Sequence, residues 1–486
     1  MRTHVDLPVS LSRDAAEPLT AQLVTWLRGA MLDGTLASGE RLPSTRALAA
    51  QLGVSRTVVT EAYQQLYAEG WLDGRHGSGT FVADIEAGTG SGTGSGTGSG
   101  TGSGTGRAPR PPAKDAYVPA QQPPEGLINL TSGSPWVRDY DQAAWRRAWR
   151  RAADLPPGDS PDTYGLPRLR ELLADHLRRA RGMAVGPDNI LVTRGTGNGL
   201  DLCAMALLAP GARAGVEDPG YRVARTVFEA RGAEVVPCPV DEDGVIVDGL
   251  PEDLRVLYTT PAHQFPLGGR LPIPRRERLL AWAGSTGATI VEDDYDAEFR
   301  YDVAPLPALY GLDPSRVVLL GTLSKILAPD VGVGWLVGEP GLVSRIAALR
   351  WAVADRTSGP VQQAVATLLE RGDIDRHLRR MRLEYARRRA VVVELLGPAC
   401  RLRGDTAGLH VLAELPAALV PGVVDRAVQR GVMLDSTERH HHGRTRLHGL
   451  VIGYGSASLP DVRRGCEIVA ELIREARSQD RSRAGS

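Results

Sequence analysis

Of the 57 lysine and arginine residues in this chain, only Lys114 and Lys325 are lysines. A guanidinium keeps its proton inside a protein, whereas an amine can lose it and attack a carbonyl, so Lys325 is a candidate nucleophile. Lys114, in a Pro-rich stretch, shows that a lysine can also survive by chance. Lys325 closes Gly321-Thr322-Leu323-Ser324-Lys325, which puts two hydroxyls beside the amine just after the apolar run Val317 to Leu320. A second run, Ala288 to Val291, opens into Glu292-Asp293-Asp294-Tyr295-Asp296. Carboxylates buried at a strand end are costly without a positive partner, and either a metal ion or a protonated heterocyclic nitrogen would serve. No histidine lies in that segment to favour metal. A third run, Ile190 to Thr193, leads into Arg194-Gly195-Thr196-Gly197 and a helical stretch, where free amides and the Thr196 hydroxyl could bind a phosphate. Such a glycine loop also serves plain strand-to-helix geometry. Tyr221, in Asp218-Pro219-Gly220-Tyr221, could lie flat on a planar ligand or simply pack its own loop.

From Asn189 onward short β-branched runs alternate with helical stretches: Ile190 to Thr193, Ala214 to Glu217, Glu234 to Pro237, Val256 to Thr259, Ala288 to Val291 and Val317 to Leu320. This alternation implies a mostly parallel α/β sheet, in which ligands bind beyond the carboxyl ends of the strands. The amine, the carboxylates, the phosphate loop and the phenol all fall at such ends. Pyridoxal phosphate asks for that set: an amine for the Schiff base, an acid that keeps the pyridine nitrogen protonated, a phosphate cup and a stacking ring.

The 486 residues, 42% hydrophobic and 23% charged, predict at least two globular cores and exclude wholesale disorder. No apolar run approaches the roughly eighteen residues of a membrane helix, and no basic-then-apolar leader follows Met1, so a cytoplasmic protein with no membrane partner is expected. Acids and bases balance at 57 each, so nucleic acid would have to be met by a local patch. Cys203, Cys238, Cys400 and Cys466 lie too far apart for a zinc or redox motif and suit reduced core thiols.

The composition divides the chain into a head (15–84), a Gly/Thr/Ser- and Pro-rich linker (85–126), a second domain (127–476) and a polar, flexible tail (477–486). In the head, helical spacing covers Pro18 to Leu32. Ser44 then caps a helix through Leu52, Gly53-Val54 makes a turn, and Ser55 caps a helix to Glu69. Two short strands flank the Gly-rich tip that follows, completing a winged helix-turn-helix. Ser44, Thr45, Arg46, Ser55, Arg56, Thr57, Thr60 and Tyr63, with Arg75 and Gly77 of the wing, are the candidate DNA contacts. Pro18 to Val82 holds five Arg against five acids, so their placement favours DNA and net charge does not. A protein-interaction domain is the alternative.

Leu42-Pro43-Ser44-Thr45-Arg46 with Leu48-Ala49, then Val54-Ser55-Arg56-Thr57, Thr60 and Tyr63, resembles the GntR-type winged helix. The second domain resembles the α/β fold-type I aminotransferases, with large and small subdomains, and residues 15 to 475 together resemble the MocR/GabR-type regulators. The resemblance implies that Lys325 carries the pyridoxal phosphate Schiff base and that Asp293 meets the pyridine nitrogen. It makes Tyr295 the donor to the phenolic oxygen and Tyr221 the stacked ring. Gly195, Thr196, Gly197, Thr322 and Ser324 would hold the phosphate, and His263 and Gln264 would border the cofactor.

Three positions depart from the family pattern. Gly332 stands where an Arg binds the phosphate, a loss of about 1.5–3 kcal/mol unless another Arg such as Arg194 substitutes. Val451 stands where an Arg clamps a substrate carboxylate, and Ser160 replaces a partner-subunit Tyr, with Tyr164 close by. The expected protein is therefore a homodimeric transcriptional regulator. It binds a double-stranded DNA operator and senses a small-molecule effector, an amine or amino-acid-like compound or pyridoxal phosphate itself, with transaminase activity vestigial or absent. Two alternatives remain: a working aminotransferase with an appended DNA-binding domain, and a regulator of this fold that has lost the cofactor. His440, His441, His442 and His448 lie beside Arg439, Arg444 and Arg446 in a loop that could line the effector pocket, and no metal site is expected. Arg146, Arg147, Arg150 and Arg151 read as a solvated helical face.

Overall fold

The computed structural model describes residues 9, 11–13, 18–32, 35–75, 79–83, 126–156, 158–301 and 306–484. The chain divides into two compact units, residues 1–122 and 123–486. The linker, Lys114, Gly77 and the side chain of Arg75 lie outside the described residues.

The head is three helices and a hairpin. Helix Leu19–Leu32 buries Leu23, Val24, Leu27, Ala30 and Met31, a helical spacing that packs one face against helix Arg56–Glu69. Helix Thr45–Leu52 starts where Ser44 Oγ accepts from the Ala47 amide at 3.2 Å, and it ends at Gly53 in the left-handed region (φ 63). Ser55 Oγ accepts from the Val58 amide to start the next helix. Each cap satisfies an amide that the helix cannot. The wing pairs Leu72–Arg75 with Gly79–Val82 antiparallel, and Tyr67 Oη donates to Thr80 Oγ1 at 2.8 Å to fix it on the helix. Arg28 meets the fully buried Glu69 at 2.7 Å, so the one buried carboxylate of that helix is paired.

The second unit is built on an eight-stranded sheet in the order Ile190–Thr193, Gly334–Val337, Val317–Thr322, Thr289–Asp293, Val256–Thr259, Arg213–Asp218, Glu234–Asp241, Gly244–Val245. The five strands from Val317–Thr322 to Glu234–Asp241 run parallel. Gly334–Val337 is antiparallel and slots between Val317–Thr322 and Ile190–Thr193, a strand the alternation pattern did not mark. Helices cover both faces and fully bury Ile190–Thr193, Val256–Thr259, Val317–Thr322 and Gly334–Val337, which is why these central strands are near-continuous apolar runs.

A smaller antiparallel sheet orders Arg401–Arg403, His410–Glu414, Gly449–Gly453 and Asp435–Ser436, backed by helices Asp373–Leu396, Val420–Gln429 and Leu459–Ala484. Ile128–Asn129, just beyond the linker, pairs in parallel with Val432–Met433 of this small subdomain. All four cysteines are free and buried.

Within the expected tail from residue 477, the last helix continues to Ala484. Leu472, Ile473 and Ala476 still face the core, and no Gly or Pro interrupts Arg477 to Ala484, so nothing stops the helix before Gly485.

Candidate functional site

Register brings the three loops together. Thr193 and Thr322 both lie opposite Gly334, and Asp293 lies opposite Leu320, so the loops after Thr193 and Thr322 and the end of Thr289–Asp293 open on one edge. Their approach depends on Gly334, where a Cβ would fall 2.6 Å from the Gly321 carbonyl oxygen and 2.8 Å from Gly195 Cα. Gly195 is itself at φ 99 and precedes helix Thr196–Leu207, with Thr322 Oγ1 and Ser324 Oγ each 3.7 Å from where its Cβ would lie. Thr322 Oγ1 donates to Ser324 Oγ at 3.0 Å and accepts from the Ser324 amide at 3.1 Å. Gly195, Thr322 and Ser324 thus lie together where Thr196 and Gly197 open a helix, a set of amides and hydroxyls at a helix N-terminus whose chemistry fits a phosphate.

Lys325 follows directly, its Nζ donating to the Gly133 carbonyl at 2.5 Å. Desolvation pulls the amine below the ordinary lysine pKa, opposed by Asp293 and Asp296. Three of the neighbouring carboxylates have partners within the protein. Glu292 accepts from the Leu309 and Tyr310 amides at 3.0 Å, Asp294 pairs with buried Arg181 at 2.9 Å, and Asp296 meets His263 Nδ1 at 2.9 Å. Asp293 differs. Among the described residues its hydrogen-bond partners are Tyr258 Oη at 2.8 Å and Thr196 Oγ1 at 3.5 Å, both uncharged, and burial pushes its carboxyl up to about 7. A carboxylate placed so is suited to a protonated ring nitrogen. Tyr258 carried no sequence signal, because it is one apolar-looking position inside a buried strand.

Tyr221 stacks on Tyr258, with centroids 6.3 Å apart and planes at 29°. Tyr295 Oη donates to the His263 carbonyl at 2.9 Å and lies 3.1 Å from His263 Nδ1. Gln264 is fully buried and ties loops together: its amide donates to Glu217 Oε2 and to the Pro219 carbonyl, and its oxygen accepts from Leu267.

Gly332 adopts φ 58, and a Cβ there would meet only the Asp330 carbonyl oxygen, at 3.9 Å. Arg194, the expected substitute, pairs with Asp355 at 2.6 Å. Val451 is buried in an apolar cluster with Leu267 and Leu412. In the histidine loop, His440 is buried and approaches Asp435, which also accepts from Ser132 at 3.0 Å.

In the head, Ser44, Arg46, Ser55, Arg56 and Thr57 are exposed, with Thr45 and Thr60 half-buried beside them, and Arg56 Nε donates to Thr45 Oγ1 at 3.4 Å. Tyr63 is corrected: it is 2% exposed and donates to the Pro43 carbonyl at 2.9 Å. It shares the inward helical face of Val59, Ala62 and Leu66, so it locks the helix pair and cannot reach a groove.

Comparison with known proteins agrees with this geometry. Residues 125–432 match the family model for aminotransferase class I and II, and residues 19–82 match that for bacterial regulatory proteins of the gntR family. The HTH-type pyridoxine biosynthesis transcriptional regulator PdxR of Corynebacterium glutamicum is 37% identical over 93% of this chain and 95% of its own length. The probable rhizopine catabolism regulatory protein MocR of Rhizobium meliloti is 34% identical over 94% of each. Among solved structures, the alpha-aminoadipate aminotransferase LysN of Thermus thermophilus, complexed with N-(5'-phosphopyridoxyl)-L-leucine, superposes with a TM-score of 0.67 at 25% identity, covering 73% of this chain and 94% of its own. The kynurenine aminotransferase of Pyrococcus horikoshii gives 0.66 at 27% identity, over 72% and 91%.

Proposed function

The chain belongs to the MocR-type regulators, in which a GntR winged helix precedes an aminotransferase class I and II domain, and from that membership we propose that it senses pyridoxal phosphate through this second domain. It is a transcriptional regulator with a DNA-binding head and an aminotransferase-fold body. The carrying observation is Asp293, among the described residues the one carboxylate of its group with only neutral hydroxyl partners, beside an enclosed amine and a loop of amides and hydroxyls.

Lys325, Asp293, Tyr295 and Tyr221 would hold the cofactor's reactive end and ring, and Gly195, Thr196, Gly197, Thr322 and Ser324 its phosphate. Bound pyridoxal phosphate supplies an aldehyde that bonds reversibly to an amine and a ring that draws electrons when its nitrogen is protonated. Desolvation makes the Lys325 amine easier to deprotonate, and Asp293 would hold a proton at the ring nitrogen of a bound cofactor. Tyr221 and Tyr258 wall the site with aromatic surface.

Two departures favour the cofactor itself as the signal. Val451 leaves no guanidinium for an amino acid's carboxylate. Gly332 removes a phosphate contact, so occupancy would vary with supply, as a sensor requires. The name of the Corynebacterium relative, a regulator of pyridoxine biosynthesis, points the same way. The active chain would be a cytoplasmic homodimer, because two heads are needed for two half-sites.

The test is a visible absorption titration of the purified protein with pyridoxal phosphate, beside Lys325→Ala, while binding to a DNA fragment enriched from a random pool is followed. A Lys325-dependent band that appears together with a change in DNA affinity is expected. Colour independent of Lys325 would remove the site assignment. Sustained turnover of an amino-acid panel with a keto acid would make the protein an aminotransferase instead.

A further inference from the structure

We propose that His263, Asp296 and His410 form a binding site for one divalent first-row transition-metal ion of the zinc class. The three side chains come from distant parts of the chain: the loop after strand Val256–Thr259, the segment just after strand Thr289–Asp293, and the first residue of strand His410–Glu414 in the small subdomain's sheet. Their exposures are 1%, 1% and 2%. One ligand atom from each lies within 4.8 Å of the others, and the two imidazole rings are 4.7 Å apart.

The hydrogen-bond inventory around them does not close. His263 Nδ1 and Asp296 Oδ2 are 2.9 Å apart, and His410 is bonded to the Pro266 backbone. Yet His263 Nε2, His410 Nε2 and Asp296 Oδ1 are buried without a hydrogen-bond partner among the described residues. A buried polar atom left unpaired costs about 1–3 kcal/mol, and three in one cluster call for a shared partner. A cation supplies one. The His410 arrangement, one ring nitrogen held by a backbone carbonyl and the other buried and unpartnered, is how metal-binding histidines are oriented.

Two imidazoles and one carboxylate suit zinc and its neighbours over magnesium or calcium, which prefer oxygen alone. Metal–ligand bonds of about 2.0–2.1 Å place tetrahedral ligand atoms about 3.4 Å apart, and the three offered atoms already lie within 4.8 Å of one another, so a modest closure completes the set. Two glycines keep the cluster compact. A Cβ at Gly408 would fall 2.0 Å from His263 Cε1 and 2.7 Å from Asp296 Oδ2, and one at Gly268 would fall 3.3 Å from His263 Nε2. The ion would sit behind Tyr295, whose hydroxyl donates to the His263 carbonyl, and it would join the large subdomain to the small one.

This inference does not depend on the cofactor reading. Full-length protein is stripped with a chelator, reloaded with Zn²⁺ alone, and analysed for zinc per chain, with Co²⁺ as a spectroscopic substitute. One zinc per chain is expected, retained by the His448→Gln control and weakened about tenfold or more by His410→Gln and by Asp296→Asn, with zinc raising the melting temperature of the parent and the control but of neither site variant. No zinc in the parent at micromolar metal, or equal retention by both variants, overturns the site. If a variant does not fold, X-ray absorption of the zinc-loaded parent decides: two imidazole ligands and an oxygen support the site, and any other histidine count overturns it. Pyridoxal phosphate binding, read separately by its visible band, stands or falls without regard to this result.

Discussion

Tyr258 Oη donates to Asp293 Oδ2 at 2.8 Å, and both groups are buried in neighbouring strands of the main sheet. This bond lowers a carboxyl that burial otherwise raises, so Tyr258 helps keep Asp293 ionised for a ring nitrogen. Tyr258→Phe should push Asp293 further up and weaken pyridoxal phosphate about tenfold, the worth of one hydrogen bond to a charged group. An absorption titration over pH checks both effects: the band's pH transition moves upward and the apparent Kd rises.

Asp293 also gives the cofactor-free protein a pH signature. Its carboxyl goes from 3.8 to about 7 on folding, so between those values the folded state binds more protons than the unfolded one. The favourable contribution is full below pH 4 and is lost as pH rises through 7. Asp293→Asn should therefore melt higher than the parent above pH 7, by at most about 4 kcal/mol in stability, and the gap should close toward pH 4. Pyridoxal phosphate should stabilise the parent and not the variant. Thermal melts across that range measure all three.

Gly332→Arg separates affinity from strain. The left-handed backbone at φ 58 penalises any side chain by about 1–2 kcal/mol, which lowers the stability of cofactor-free and loaded protein alike. The space beside Gly332 is open, so the new guanidinium can turn toward the phosphate loop. The expected outcome is a lower melting temperature without ligand together with a Kd for pyridoxal phosphate tenfold or more below the parent's.

In the head, Arg46→Ala and Arg56→Ala should each weaken DNA binding and reduce the slope of log affinity against log salt by about 1. Tyr63→Phe should leave that slope and the affinity intact while costing about 1 kcal/mol of stability through the lost bond to Pro43. Fluorescence anisotropy at several salt concentrations distinguishes the two behaviours.

Lys325, Asp293 and the Gly195 loop were legible because each follows an apolar run whose end must face a ligand edge, and the scarcity of lysine singled out one amine. The helix caps at Ser44 and Ser55 were legible for the same local reason. Tyr63 was misread because a residue one turn beyond a recognition surface can fall on either face, and the helical phase puts it inward with Val59 and Leu66. The continuation of the last helix to Ala484 was not legible, because polar composition says nothing of helix continuation when no breaker intervenes. Tyr258 and the His263–Asp296–His410 group were beyond reach: their meetings depend on strand register and on the small sheet folding against the large one, which no local spacing encodes.

The parallel pairing of Ile128–Asn129 with Val432–Met433 fixes where the tether is rooted. The Ile128 amide donates to the Gly431 carbonyl at 2.8 Å, and the Gly453 amide to the Leu130 carbonyl at 2.8 Å, so residues 128–130 are clamped on both sides by the small lobe. Any shift of the small lobe therefore carries with it the point at which the chain enters the second unit.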